Sequence, residues 1–116
     1  MRLFLVGPPG VGKTAVGREL ARILGAAFLD TDEAIERSAG KTCSRVIVED
    51  GMERFRDLET EVIEHLRPTP AWEVVSTGGG ATIRPANRER MRSLGLLVGL
   101  RGTVGVVARG IERTME

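Results

Sequence analysis

The stretch Gly7-Pro8-Pro9-Gly10-Val11-Gly12-Lys13-Thr14 directly follows the short apolar run Leu3 to Val6. It matches the pattern G-x-x-x-x-G-K-[ST], and apolar residues recur at helical spacing from Lys13 to about Leu24. Between a buried strand and a helix, this pattern binds phosphate, because the turn's amides point inwards and the helix adds the positive end of its dipole. We therefore predict a P-loop that holds the phosphates of a nucleotide.

The residue types of this turn predict how it works. Lys13 is expected to reach the β- and γ-phosphates and to act in catalysis, and the Thr14 hydroxyl is expected to ligate Mg²⁺. The predicted nucleotide-binding set from this turn is Gly10, Val11, Gly12, Lys13, Thr14 and Ala15. A P-loop is shared by GTPases, ATPases and small-molecule kinases, but no N-K-x-D guanine motif occurs in the sequence, which favours ATP.

Composition limits the remaining possibilities. A chain of 116 residues is long enough for one domain, which we expect to span 1–116. Its 17 basic and 16 acidic residues create no overall field towards nucleic acid or a membrane, and no apolar run is long enough to span a bilayer. Cys43 is the only cysteine in the sequence, so it cannot form an internal disulfide, and with His65 as the only histidine there is no zinc-binding cluster. We assign a catalytic role to neither residue. We expect a soluble, cytoplasmic monomer.

Strands and helices are predicted to alternate along the chain. The predicted strands are Leu3 to Val6, Ala26 to Asp30, Trp72 to Thr77 and Leu96 to Leu100. The predicted helices are Lys13 to Leu24, Thr31 to Ala39 with Thr31 as N-cap, Glu53 to Leu66, Pro85 to Leu94 and Thr103 to Met115. Such alternation calls for a parallel sheet covered on both faces. The predicted fold class is α/β, a three-layer αβα sandwich of the P-loop NTPase type.

Three more clusters carry chemistry. They are Phe28-Leu29-Asp30-Thr31-Asp32, Gly51-Met52-Glu53-Arg54-Phe55-Arg56-Asp57-Leu58-Glu59 and Ser76-Thr77-Gly78-Gly79-Gly80-Ala81. Taken singly, they are typical of capping acids, an exposed helix pair and a simple loop. Behind a P-loop, in this order and spacing, they resemble the shikimate kinase family, and the resemblance runs from Met1 to about Thr114.

The resemblance implies a role for each charged residue. Asp30 would hold Mg²⁺ through water, and Asp32 would bind the hydroxyls of shikimate and accept the proton of the attacking one. Arg56 would clamp the substrate carboxylate, as its bidentate geometry favours. Glu59, one helical turn further on, would orient that guanidinium.

The apolar residues and the adenine contact are implied in the same way. Phe55 would form an apolar wall of the substrate pocket, and the backbone of Gly78, Gly79 and Gly80 would approach the substrate. Arg113 would pack against adenine. Two residues depart from the usual family pattern, because Met52 stands where a glutamate is common and Ile47 where an aromatic is common.

The resemblance also implies an end before the family's last elements. We expect the chain to lack the last strand, the arginine-bearing lid, the second carboxylate-binding arginine and the adenine loop. Losing lid cations would cost about 10³-fold or more in rate. It would also leave the strand Leu96 to Leu100 with an open outer edge.

The function expected from the resemblance is ATP-dependent phosphorylation of the 3-hydroxyl of shikimate. Two alternatives stay open. One is a related P-loop kinase acting on gluconate or a nucleoside monophosphate, against which the Gly-Gly-Gly turn and Arg56 argue. The other is a non-catalytic fragment that binds nucleotide or substrate, in which substrate would protect the fold without turnover.

Overall fold

A computed structural model describes residues 1–100 and the backbone of residues 111–114. The strands are β1 (Arg2–Val6), β2 (Ala27–Asp30), β3 (Glu73–Ser76), β4 (Gly95–Leu100) and β5 (Ile111–Thr114). The helices are α1 (Lys13–Leu24), α2 (Thr31–Ala39), α3 (Cys43–Asp50), α4 (Met52–Glu64) and α5 (Pro85–Leu94). The four predicted strands and first four predicted helices are present, with ends that differ by at most two residues, as is usual for such boundaries.

The sheet is parallel over four neighbouring strands, in the order β2-β3-β1-β4, which confirms the predicted α/β class. β1 lies between β3 and β4, so that Phe4 is level with Val75 on one side and Leu97 on the other. The P-loop follows β1, the two aspartates follow β2, and the glycine run follows β3. The carboxyl ends of three adjacent strands therefore bring these three motifs to one edge of the sheet.

β5 corrects two predictions. Residues 111–114 form a strand antiparallel to β4, and not part of a helix running from Thr103 to Met115. Residues 103–110 and residue 115 of that predicted helix lie outside the described residues. β5 pairs with β4 from Leu97 to Leu100, so the prediction of an open outer edge on β4 was also wrong. Backbone pairing with the edge of β4 overrides the local preference of residues 111–114 for a helix.

The alternating side chains of the strands separate two apolar layers. Phe4 and Val6 point into a cluster completed by α4 and α5, which contribute Ile63, Met91 and Leu94. Leu5 points to the opposite face and packs with a second cluster, made by β3, β4 and α1 and containing Ala21, Val74 and Val98. The sheet is thus covered on both faces, as the three-layer prediction required.

A third cluster lies among α2, α3 and α4. Its buried members are Ile35, Val46, Phe55 and Leu58. The helix α3 was not predicted, because its segment is short and contains the β-branched run Val46-Ile47-Val48, which favours strands. The Thr42 hydroxyl caps it by accepting from the Arg45 amide at 3.2 Å, and Val46 anchors it in the cluster.

The start of α2 also differs from prediction. Asp30 is the N-cap, and its Oδ1 accepts from the amides of Asp32 at 2.9 Å and Glu33 at 3.4 Å. Thr31, predicted as the cap, is the first residue of the helix and fully buried. Its hydroxyl instead accepts from the Gly78 amide at 3.2 Å. Within the described part of the chain, no helix has the length and apolarity needed to cross a bilayer.

Candidate active site

A cleft of about 360 Å³ opens at the carboxyl edge of the sheet. Residues from all three predicted motifs line it, namely Pro9, Gly10, Gly12, Lys13, Thr14, Ala15, Asp30, Asp32, Ser76, Thr77, Gly78 and Gly79. Most residues of the predicted nucleotide-binding and metal-binding sets therefore face one space. Of the substrate set, Asp32, Gly78 and Gly79 line the cleft, whereas Phe55, Arg56 and Gly80 are not among its lining residues in the described part of the chain.

The turn before α1 has the backbone shape of an anion cradle. Gly10 and Gly12 have φ values of +84° and +88°, a region that side-chain-bearing residues rarely adopt. Among the described residues no side chain caps the N-terminus of α1, so the amides of its first turn are available to a ligand or solvent. The arrangement suits an anion at the positive end of the helix dipole.

Lys13 extends back along this turn. Its Nζ donates to the carbonyls of Gly7 at 2.7 Å and Pro8 at 2.8 Å, and only 8% of the residue is exposed. Burial lowers the pKa of Lys13, and the negative charges of Asp32 and Asp30 oppose that effect. The ammonium is therefore held inside the cleft, close to both carboxylates.

Asp30 links the P-loop to α2. While Oδ1 caps the helix, Oδ2 accepts from the Thr14 hydroxyl at 3.0 Å. The two residues predicted to bind metal are therefore in direct contact. Their oxygens come from different elements, α1 and the end of β2, so the contact fixes the relative position of those elements.

Asp32 has a buried oxygen. Its Oδ1 has no hydrogen-bond partner among the described residues. Burial raises the pKa of Asp32, with the charge of Asp30 adding to the effect and those of Lys13 and Arg56 opposing it. Such an oxygen is a strong acceptor for a hydroxyl that enters the cleft.

Arg56 and Glu59 form the predicted pair on α4. Arg56 Nη1 donates to Glu59 Oε1 at 3.1 Å, and Glu59 is fully buried while its Oε2 has no partner in the described part of the chain. Burial raises the pKa of Glu59, and the guanidinium of Arg56 opposes the shift. Phe55 is 7% exposed within the third cluster, and its ring centroid lies 5.3 Å from Arg56 Cζ.

Each glycine of the run lies against a different neighbour. A β-carbon on Gly78 would lie 2.8 Å from Asp32 Oδ1 and 3.1 Å from Glu59 Oε2. One on Gly79 would lie 2.6 Å from Cδ of Pro9, and one on Gly80 would overlap the guanidinium of Arg56. The run thus contacts the P-loop, the aspartate pair and the arginine at once, and has no room for a side chain.

Several residues of the site were not predicted. Ser76 and Thr77 line the cleft, and Thr77 Oγ1 donates to the Leu5 carbonyl at 2.8 Å, which fastens the end of β3 to β1. Their position directly before the glycine run was the available signal. Thr31 and Pro9 support Gly78 and Gly79, and only the folded arrangement shows those contacts.

The remaining predicted residues lie elsewhere. The Cys43 thiol donates to the Asp32 carbonyl with a separation of 3.6 Å, and burial raises its pKa to about 12, so it is not a nucleophile. His65 is exposed at the end of α4. The backbone of Arg113 pairs with Val98, while its side chain, predicted to contact adenine, lies outside the described residues.

The sequence is similar to curated shikimate kinases. The family model described as shikimate kinase matches residues 9–116. Shikimate kinase 2 of Sodalis glossinidius is 44% identical over 114 residues, which is 98% of this chain and 64% of that protein. Shikimate kinase of Thermobifida fusca is 55% identical over 85 residues, covering 72% of this chain and 48% of that protein.

Solved structures give the same result. Shikimate kinase from Acinetobacter baumannii in complex with shikimate matches with a TM-score of 0.82 and 40% identity, covering 94% of this chain and 60% of that one. Shikimate kinase from Aquifex aeolicus matches with a TM-score of 0.81 and 32% identity, covering 100% and 67%.

The chain spans 58% to 64% of the length of the first three curated relatives. The matched region contains the P-loop from Pro9 onwards, the aspartate pair, the Arg56–Glu59 pair and the glycine run. The family model, the curated relatives and the solved structures all match nearly the whole chain. This chain belongs to the shikimate kinase family.

Proposed function

We propose that this chain carries the phosphate-binding and shikimate-binding parts of a kinase that transfers the γ-phosphoryl group of ATP to the 3-hydroxyl of shikimate. The observation that carries the proposal is the position of Asp32, which lines the cleft with Lys13 and has its buried oxygen beside Gly78 and Glu59. A phosphate site and a hydroxyl acceptor thus share one cleft. The shikimate complex of the Acinetobacter baumannii relative supports the choice of substrate.

The residues present fit the phosphates of ATP. The uncapped start of α1 and the left-handed glycines offer amide donors, and Lys13 offers a cation next to them. We propose that Gly10, Val11, Gly12, Lys13, Thr14 and Ala15 hold the phosphates and that Arg113 contacts adenine. Lys13 would neutralise charge that develops on the transferred group.

The same cleft fits Mg²⁺. Thr14 Oγ1 lies 3.0 Å from Asp30 Oδ2, so an oxygen that can bind the ion directly stands beside a carboxylate that can accept from a metal-bound water. We propose that Thr14 binds the ion directly and that Asp30 binds it through water. Bound there, Mg²⁺ would supply charge neutralisation at the β- and γ-phosphates.

We propose that Asp32 orients the attacking hydroxyl and accepts its proton. The substrate oxygen forms the new O–P bond, the bond from the γ-phosphorus to the bridging oxygen breaks, and ADP leaves with that electron pair. The hydroxyl proton passes to Asp32. No covalent enzyme intermediate is needed, because positioning and charge stabilisation carry phosphoryl transfer.

Arg56 is proposed to bind the substrate carboxylate. Glu59 holds one end of its guanidinium, and the backbone at Gly80 lies against the whole group, which limits the orientations available to it. A planar, preorganised guanidinium suits bidentate binding of a carboxylate. Phe55 packs beside it, and we propose that its ring forms an apolar wall of the substrate pocket.

The experiment is a coupled assay of turnover with ATP, Mg²⁺ and shikimate on the full chain. Because the chain is expected to lack the lid cations, we expect slow shikimate-dependent ADP release. Lys13→Ala and Arg56→Ala should each reduce it by about 10²-fold or more, while Arg54→Ala, a half-exposed arginine of the same helix, should leave it unchanged. Equal turnover with gluconate would refute the substrate assignment. Shikimate protection against unfolding without any turnover would indicate a binding fragment instead.

The nearly balanced charge supports a kinase whose partners are small molecules. We propose that it acts as a cytoplasmic monomer. Sedimentation of the purified chain at micromolar concentration checks the oligomeric state.

A further inference from the structure

Arg84 is the last residue before α5 and follows the glycine run by a few residues. Its Nη1 lies 3.1 Å from the Thr60 hydroxyl and 3.0 Å from Asp57 Oδ1, and its Nη2 lies 3.0 Å from Glu53 Oε1. These partners are four and three residues apart on α4, so they lie on one face of that helix. A single guanidinium thus spans about two turns of α4.

The same helix carries the proposed substrate arginine. The glycine run contacts α4 at two points, where Gly80 lies against Arg56 and Gly78 lies beside Glu59. Two short turns connect the run to Arg84, in which the amide of Ala81 donates to the Gly78 carbonyl and that of Ile83 to the Gly80 carbonyl, both at 3.1 Å. The path from Arg84 to Gly80 is therefore short and hydrogen-bonded.

We propose that Arg84 is a positioning residue of the shikimate site, which fixes the glycine run against Arg56 by tying the end of the run to α4. This inference rests on the proposed function, because it takes shikimate as the substrate. It concerns a residue that is not among the described residues lining the cleft, although its positive charge acts on Glu59 and opposes the raised pKa of that residue.

The expected effect is local. Glu53 is 88% exposed and Asp57 50% exposed, and exposed ion pairs contribute little to the free energy of unfolding. The run also has a second anchor, because the buried Asn87 donates from Nδ2 to the Ala81 carbonyl at 3.1 Å. Removing Arg84 should therefore loosen the run without unfolding the chain.

The first measurement is amide hydrogen exchange of the full chain without ligands. We expect Arg84→Ala to speed exchange at Ala81 and Ile83 by about tenfold, as loss of a charged anchor would allow, while amides in β1 keep their rates. Arg54→Ala is the matched control, because Arg54 also forms an ion pair on α4, with Glu61 at 3.6 Å. Asp57→Asn should change exchange in the same direction as Arg84→Ala, since it weakens the same anchor from the other side.

The second measurement is shikimate affinity by calorimetry. We expect Arg84→Ala to raise the Kd for shikimate by about tenfold, Arg84→Lys to raise it less, and both to leave the Kd for ATP unchanged. The double variant Arg84→Ala/Asp57→Ala should bind shikimate no more weakly than Arg84→Ala alone, because both changes break one link.

The two measurements distinguish failure of the inference about Arg84 from failure of the proposed function. Unchanged exchange at Ala81 and Ile83 in Arg84→Ala would show that Arg84 does not hold the run. Faster exchange with an unchanged Kd for shikimate would also overturn the inference, because the run would then not need its anchor. A wild-type chain that does not bind shikimate would refute the proposed function, whereas the exchange data would still decide whether Arg84 fixes the run.

Discussion

Asp32 Oδ1 and Glu59 Oε2 are two buried carboxylate oxygens that both lie near Gly78. Burial raises the pKa of each residue, so the folded chain favours their neutral forms more than the unfolded chain does. Such a cost is typical of functional sites, where groups are held ready for a ligand at the expense of stability.

Glu59→Gln should make the fold more stable at pH 7. Because the pKa of Glu59 is higher in the folded than in the unfolded chain, its stabilising contribution is complete below about 4.5 and declines as the pH rises through the folded value. The glutamine side chain carries no charge, so the gain should grow from pH 4 to pH 7. Urea unfolding at several pH values measures it, with the exposed Glu64→Gln as control. A gain that does not depend on pH would contradict this account.

Gly80→Ala should weaken shikimate binding by about tenfold or more while the chain stays folded, since the new methyl group displaces the guanidinium of Arg56, a flexible side chain that can move. Calorimetry with shikimate measures the effect. Gly25→Ala is the control, because Gly25 has a φ of +62° and a β-carbon there would meet no atom of the described residues within 4 Å. That change should cost about 1 kcal/mol of stability and leave shikimate affinity as it was. Equal affinities in both variants would argue against a role for Arg56 in binding.

At the scale of single residues, the sequence patterns predicted which side chains line the cleft. They predicted less well which contacts hold those side chains in place. Lys13, Asp30 and Asp32 line the cleft as their positions after strands predicted. The supports given by Thr31 and Arg84 depend on contacts between residues distant in sequence, which no local pattern reports.

At the scale of elements, Asp30 caps α2 with one carboxylate oxygen and contacts Thr14 with the other. Asp30→Ala should lower the free energy of unfolding by about 0.5 to 2 kcal/mol, because it removes a helix cap. Asp30→Asn keeps the capping oxygen and should preserve stability, but it should weaken Mg²⁺-dependent ATP binding, because a neutral amide offers no negative charge to the ion and accepts more weakly from a metal-bound water. Urea unfolding and ATP titration with and without Mg²⁺ test both halves. Equal loss of stability in the two variants would count against the cap.

The elements that the sequence predicted well are those with a strong apolar period and clear ends. α1 and α5 have the predicted boundaries, with a left-handed glycine after α1 and Pro85 at the start of α5. α3 was missed because it has a single fully buried residue, Val46, and apart from the Thr42 cap it is held by packing against neighbouring helices.

At the scale of the whole molecule, the order of the strands could not be read from the sequence. Alternation predicts a parallel sheet, but it does not say which strands are neighbours, and the structure places β1 between β3 and β4. That order brings the glycine run next to the P-loop, since Gly79 contacts Pro9 only because β3 is beside β1. The site is therefore a product of topology as much as of its motifs.

Removing residues 111–116 should lower the thermal unfolding midpoint and promote aggregation. β5 is paired along the outer side of β4, and without it the backbone of Leu97 to Leu100 would be an open, apolar strand edge. Calorimetry and light scattering at increasing protein concentration measure the two effects. If the shortened chain stays monomeric with the same midpoint, β5 does not protect that edge.

The crowding around the glycine run also limits how the site can evolve. Since Gly79 faces Pro9 and Gly80 faces Arg56, a larger residue at either position needs a compensating change in its partner. Gly78 faces two partners at once, Asp32 and Glu59, so a single compensating change would not suffice there. We expect relatives that vary at position 79 or 80 to vary in concert with position 9 or 56, and lineages that lose Gly78 to have given up this substrate.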